Sequence, residues 1–303
     1  MPDQDPPRCL PNENSHDEYD DINMLQIFRA YRFLLYLFVA LLLSFVSTSS
    51  VGKSIVLEKS ICGLKEPFLF WLWSNAAGRP DPSRISDIEN IEDISITTKD
   101  SRILRGYKLK ASSPKGYLLV AQGNAMLADQ IIKSFQEFAS TGYDVYLFDY
   151  RGYGRSEGKR RLRAILSDFG EIIDHLNSLS YSNRLFYGMS FGGIVLLDAL
   201  KGKSGKKRMV IDSTPSRLSD YGCPEVHDPV RNVPKDCSNM LVIVGHKDTV
   251  VKPAMSKELS DTALKRGASI LRDPELAHPF MDRDISLHNR RMRTVKSFLL
   301  NER

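Results

Sequence analysis

The hydrophobic and polar positions of residues 91–303 fall into short apolar runs alternating with helical patterns. That alternation predicts a mostly parallel central sheet with helices on both faces. Residues 94–98 and 104–110, on either side of Asp100-Ser101, predict an opening hairpin. Runs at 117–121 (YLLVA), 145–148 (VYLF), 184–187 (RLFY), 209–211 and 241–244 (LVIV) predict buried strands, and 269–271 a last one. Helical periodicity marks 129–140, 164–176, 191–200 and 254–266, with a basic amphipathic helix at 285–300. No repeat interrupts this stretch, which predicts one α/β domain.

The chain ahead of residue 91 has a different texture. Residues 1–32 open as a polar, acidic tail expected to be disordered. Residues 33–51 (FLLYLFVALLLSFVSTSSV) carry no charge over 19 positions. As a helix that run would reach about 28 Å, against a hydrocarbon core of roughly 30 Å. It is expected to be a transmembrane anchor. A cleaved signal peptide, with Met24 as its start and Ser47–Ser50 near its end, is the alternative, and a buried core helix is a third reading. Arg29 and Arg32 lie closer to the run than Lys53, Lys59 and Lys65, which favours a body outside the cytoplasm. Residues 52–90 read as a juxtamembrane linker. Within it, 67–73 (PFLFWLW) is too short to span a bilayer and suits either the membrane interface or packing on the domain.

Charge sharpens this division. Residues 1–21 hold seven acids and one base, so the net charge of +5 conceals a body of about +11. The basic runs Lys159-Arg160-Arg161-x-Arg163, 201–208 and Arg290-Arg291-x-Arg293 have no aromatics or nucleic-acid module beside them. They read as a solvated face with some attraction for anionic headgroups, and no nucleic-acid partner is expected. Four cysteines are too few for a disulfide scaffold. Cys223 and Cys237 could close the loop between them in an oxidising compartment, or remain thiols. With His227 they lack the fourth ligand and spacing of a zinc site, so no metal is expected.

The most specific chemistry lies in Tyr187-Gly188-Met189-Ser190-Phe191-Gly192-Gly193, a Gly-x-Ser-x-Gly between an expected strand and an expected helix. A sharp turn there lifts a serine Oγ clear of the sheet, with Gly188 and Gly192 relieving the crowding. The N–H of Phe191 is left at a helix N-terminus, where an oxyanion could form. A serine nucleophile needs a base and an orienting acid. Asp248 follows the 241–244 strand, 58 residues after Ser190 and 30 before His278. His278 lies in the loop after the last strand. Asp212 is the rival acid, while Asp273 and Glu275 read as solvated loop carboxylates.

At these residues the chain resembles the α/β-hydrolase superfamily, in particular its serine aminopeptidase-like branch. Three further motifs support the resemblance: 148–158 (FDYRGYGRSEG), Gly245–Asp248 with Val250-Val251, and Gln122-Gly123-Asn124-Ala125. The resemblance covers about 91–303. It implies the α/β-hydrolase fold, a triad of Ser190, Asp248 and His278, and an oxyanion hole from the N–H groups of Phe191 and Asn124. No metal or organic cofactor is implied. Gln122 stands where the branch usually has histidine, and its amide can still donate hydrogen bonds. The 27 residues from 213 to 239, with four prolines, predict a short loop-like cover instead of a helical lid. The expected activity is hydrolysis of carboxylic esters or thioesters of small acyl or lipid-like substrates. A peptidase or amidase is the alternative, and a non-catalytic membrane-tethered binding protein is a third.

Overall fold

Eight strands form one sheet in a computed structural model, which describes residues 56–205 and 207–302. The strands are β1 (Ile91–Thr97), β2 (Ile103–Leu109), β3 (Gly116–Ala121), β4 (Tyr143–Phe148), β5 (Asn183–Met189), β6 (Arg208–Asp212), β7 (Met240–Gly245) and β8 (Ser269–Asp273). Their spatial order is β1-β2-β4-β3-β5-β6-β7-β8. β1 pairs antiparallel with β2, and β2 with β4, after which every pair is parallel. A parallel sheet buried on both faces demands continuous apolar strands, and β3, β4 and β7 are buried at every position.

The helices are α1 (Lys65–Ala76), α2 (Ala128–Ile131), α3 (Gln136–Ser140), α4 (Leu162–Ser178), α5 (Phe191–Ala199), α6 (Pro253–Lys265) and α7 (Ile285–Leu300). Strand alternation divides the core into two layers. Tyr117, Leu119 and Ala121 of β3 face a cluster that includes Phe169 and Ile172 of α4, Val195 of α5 and Leu259 of α6. Leu118 and Val120 face the opposite cluster, with Ile131 of α2, Phe138 of α3 and Val295 and Leu299 of α7. The helix expected at 129–140 is broken. Between α2 and α3 the chain tightens into a 3₁₀ turn, Ile132–Phe135, whose three-residue repeat brings Ile132 and Phe135 into line toward the core.

The stretch read as a linker is built into the domain from residue 56 onward. Buried Glu66 explains much of this. Its carboxylate accepts from the N–H groups of Ile61 (2.7 Å) and Cys62 (2.8 Å), and from Leu162 N–H (2.9 Å) at the start of α4. A carboxylate there also meets the positive end of the α4 dipole. Phe70 of α1 is buried. Further along, Asp129 of α2 accepts from Asp81 N–H (2.7 Å) and the Arg84 guanidinium (2.8 Å), fastening 79–85. The tail 1–32 and the apolar run 33–51 lie outside the described residues. Among the described residues, no helix is long and apolar enough to cross a membrane.

The cysteine pairing also differs from expectation. Cys223 is bonded to Cys62, 161 residues away, and not to Cys237. Cys237 is a buried free thiol that donates to the Pro234 carbonyl, and burial pushes its pKa up to about 11. The bond joins the segment ahead of α1 to the crossover between β6 and β7. That crossover contains three 3₁₀ turns, Ser219–Tyr221, Glu225–His227 and Pro229–Asn232. Buried Asp228 organises it by accepting from the N–H groups of Leu218 and Ser219, each at 2.8 Å. Closing so long a loop constrains the unfolded chain. Cys62→Ser or Cys223→Ser is therefore expected to lower unfolding free energy by about 2–5 kcal/mol. Denaturant unfolding with and without dithiothreitol checks this, and coincident midpoints would remove the bond from the stability account.

Candidate active site

The loops that carry the candidate residues leave the C-terminal edge of the parallel sheet, where open α/β folds bind ligands. Ser190 occupies the single position between β5 and α5, with φ 53° and ψ −119°. A non-glycine residue in that region is strained by roughly 1–3 kcal/mol, and surrounding contacts must hold it there. They do: Ser190 N–H donates to the Asp212 carbonyl on β6 (2.8 Å), and the Ser190 carbonyl accepts from Thr214 Oγ1 (3.1 Å) and Gly193 N–H (3.1 Å).

The flanking glycines are sterically required. A Cβ on Gly188 would sit 2.8 Å from the Gly192 carbonyl oxygen, and one on Gly192 would overlap the Ala121 carbonyl oxygen at the end of β3. Gly193 is required too, because a Cβ there would run into the Thr214 hydroxyl. The motif reading missed that third glycine, although the adjacent Gly-Gly pair was visible. Phe191 is the first residue of α5, so its N–H has no intrahelical acceptor.

The Gln122–Ala125 loop lies beside the elbow: a Cβ on Gly123 would be 3.8 Å from Ser190 Cβ. Gln122 is fully buried and donates from Nε2 to the Phe148 carbonyl (2.8 Å), while Tyr150 donates its hydroxyl to the Gln122 carbonyl (2.6 Å). The glutamine thus ties the loop to the end of β4. Asn124 accepts at Oδ1 from the Tyr153 hydroxyl (2.6 Å). Asp149, whose carboxyl burial pushes up to about 6, accepts from Ala128 N–H (2.9 Å), joining this loop to the 148–158 motif. Arg151 of the same motif is buried, with Asp168 and Asp100 bracketing its guanidinium (Nε to Asp168 Oδ2 2.9 Å, Nη2 to Asp100 Oδ1 2.8 Å).

Asp248 and His278 are brought together. His278 Nδ1 is 2.8 Å from Asp248 Oδ2. The other carboxylate oxygen accepts from the N–H groups of Val250 and Val251, both at 2.8 Å. Burial pushes the Asp248 carboxyl up, but the hydrogen bond and charge of His278 and the two backbone donors outweigh it, so its pKa lies below the usual carboxylate value. Gly245 makes the meeting of the two loops possible. A Cβ there would crowd the Leu276 and Ala277 carbonyls, and Lys247 N–H donates to that same Leu276 carbonyl (3.0 Å). The Ser190 hydroxyl, by contrast, makes no hydrogen bond to His278 among the described residues.

Asp212, the rival acid, is engaged elsewhere. It is fully buried, accepts from the Tyr187 hydroxyl (3.0 Å) and lies 3.3 Å from the Arg291 guanidinium. Arg291, read as part of a solvated basic run, is buried too. It donates from Nη2 to the Ala277 carbonyl (2.5 Å), one residue before His278, and its Nε is 3.6 Å from Asp282. Burial opposes the charge on Arg291, but attraction from Asp212 first, then Tyr187, Asp282 and Asp248, holds its pKa above the ordinary value. Asp282 in turn accepts from Ala277 N–H (2.8 Å), so both backbone polar groups of Ala277 are held. Asp273 is also buried rather than solvated: its Oδ1 accepts from Glu275 N–H (2.8 Å) and Leu276 N–H (3.1 Å), while Glu275 is exposed.

A family model described as "Serine aminopeptidase, S33" matches residues 112–227. The chain is 28% identical over 135 residues to "Uncharacterized protein YfhR" of Escherichia coli K12, covering 41% of this chain and 47% of that protein. It is 34% identical over 87 residues to a monoacylglycerol lipase of Mycolicibacterium smegmatis, covering 27% and 31%. The matched stretches thus span about half, or less, of those relatives. Among solved structures, the Pyrococcus furiosus esterase Pf2001 superposes with a TM-score of 0.60 at 19% identity, covering 74% of this chain and 96% of that one. Sheet order, elbow and these likenesses define the class of fold: the chain has the α/β-hydrolase fold, and over residues 112–227 it is similar to the serine aminopeptidase-like branch.

Proposed function

We propose that the chain is a serine hydrolase that cleaves carboxylic esters or thioesters through an acyl-enzyme at Ser190. The observation that carries this reading is Ser190 held at φ 53° on a strand-to-helix turn, in a structure where Asp248 and His278 are already hydrogen-bonded. In this mechanism the Asp248 carboxylate fixes the His278 tautomer with the proton on Nδ1, leaving Nε2 to take the Ser190 proton as Oγ attacks the acyl carbon. The N–H groups of Phe191 and Asn124 receive the oxyanion. His278 then protonates the leaving alcohol or thiol and activates the water that releases the acid. The short cover between β6 and β7 suits acyl groups of small or medium size.

The name of the matching family model favours a second reading, cleavage of aminoacyl amides by the same residues. A panel of p-nitrophenyl esters of graded chain length, run against aminoacyl-p-nitroanilides, separates the two. Turnover of esters at least a hundredfold faster than amides is expected, and turnover of amides alone would overturn the ester reading. We further propose that residues 33–51 attach the chain to a membrane, with the catalytic body on an oxidising side. The Cys62–Cys223 bond supports that placement, because such bonds persist in oxidising compartments.

A further inference from the structure

Helix α1 is apolar on both of its sides. Its inner side is accounted for: Phe70 is buried, and its ring meets Trp73 at 5.5 Å and Phe191 at 5.6 Å, edge to face. Phe191 is the residue after the proposed nucleophile. The outer side has no such partner among the described residues. Leu64 is 93% exposed, Phe68 45%, Trp71 50% and Leu72 46%. Their spacing of four, three and one places them on one helical stripe. Phe68 and Trp71 stack on each other at 5.9 Å, which makes the stripe one continuous apolar surface. A soluble protein gains nothing from four large apolar side chains held side by side in water, and such a patch marks an interaction site.

What surrounds the patch identifies the occupant. Lys59 and Lys65 are exposed on the segment that enters and begins α1. Exposed Lys159 belongs to the loop that joins Glu58, and that loop runs on to Leu162, whose N–H is held by Glu66 of α1. An apolar stripe containing tryptophan and rimmed by lysines matches the two layers of an anionic membrane surface, acyl chains beneath and phosphates above. A protein partner would not call for that ordering. In the sequence, the uncharged run 33–51 ends 13 residues before Leu64, a stretch that reaches at most about 45 Å when extended. A membrane engaged by that run would therefore be within reach of α1.

We propose that the outer face of α1, through Leu64, Phe68, Trp71 and Leu72, docks onto the surface of an anionic phospholipid bilayer. The docked helix places the elbow about one helix diameter, roughly 10 Å, from the acyl-chain layer, since Phe70 and Phe191 are in contact through the inner face. An acyl lipid leaving the bilayer reaches Ser190 without crossing bulk water. The docking is a property of α1 and needs no turnover, so its failure and that of the hydrolase reading are separate results.

The chain's two tryptophans, Trp71 and Trp73, are both in α1, so intrinsic indole fluorescence reports on this helix alone. The full chain carrying Trp73→Phe is reconstituted into vesicles of phosphatidylcholine with phosphatidylserine, with and without acyl chains brominated near the carbonyl. Trp71 emission is expected to shift to the blue on reconstitution, to fall at least twofold with brominated lipid, and to resist iodide. The fall should be smaller in vesicles without phosphatidylserine. The reciprocal Trp71→Phe chain, which keeps the half-buried Trp73, should lose most of the response to bromine, and it serves as the second readout if Trp73→Phe folds poorly. Emission quenched by iodide and indifferent to brominated lipid would overturn the proposal. So would shielding that appears only at high protein-to-lipid ratio, which would assign the stripe to a second copy of this chain.

Discussion

Ser190→Ala is expected to lower kcat/KM for a p-nitrophenyl ester by on the order of 10⁴ or more, and to abolish labelling by a fluorophosphonate probe. The reason is local. The substitution removes the oxygen proposed to form the acyl-enzyme, whereas the backbone that shapes the turn is held by bonds alanine keeps, from Ser190 N–H to the Asp212 carbonyl and from Thr214 to the Ser190 carbonyl. Melting temperature is therefore expected to change little, which distinguishes lost chemistry from lost fold. His278→Ala should fall to a similar floor, because residues acting as one unit do not contribute additively. Equal probe labelling of the parent and Ser190→Ala chains would mean that the nucleophile lies elsewhere.

Arg291→Met carries the largest expected effect on stability. The substitution keeps most of the aliphatic volume and removes a buried guanidinium, leaving Asp212 and Asp282 without their cation. Breaking a buried pair from one side costs about 3–5 kcal/mol, measurable as a shift in the denaturation midpoint. A second effect should accompany it. Arg291 also holds the Ala277 carbonyl, and with it the loop that presents His278, so probe labelling of the folded fraction should slow. Asp212→Asn added to Arg291→Met should recover part of the stability by removing one uncompensated charge. It should recover less of the labelling rate, since the Ala277 carbonyl still lacks its donor. An Arg291→Met chain as stable as the parent would show that Asp212 is satisfied by the Tyr187 and Ser213 hydroxyls without the cation.

Much of this molecule was legible because its signals are local. Each buried strand of the parallel sheet is a contiguous apolar run, and the elbow is a pattern of glycines around one serine, so the strands and the turn at Ser190 were readable, and chain order pointed to the two loops that bring Asp248 and His278 together. What escaped depends on distant partners. Nothing in the sequence around Cys62 indicates that it meets Cys223, since four cysteines permit several pairings and only the fold selects one. Arg291 was masked by Arg290 and Arg293, yet a signal existed: it stands four and eight residues before Val295 and Leu299, the buried stripe of α7. Residues 56–90 were masked by their composition. Glu66 gave no hint that it would be buried, because its donors are the Ser60 hydroxyl and, chiefly, the backbone groups of Ile61, Cys62 and Leu162.

The bond between Cys62 and Cys223 joins two pieces of chain far apart in sequence, the approach to α1 and the crossover after β6. A covalent clasp of this kind lets neither piece travel far without the other. Any motion of the crossover is thus handed to the segment that leads into α1, whose Phe70 ring lies against Phe191.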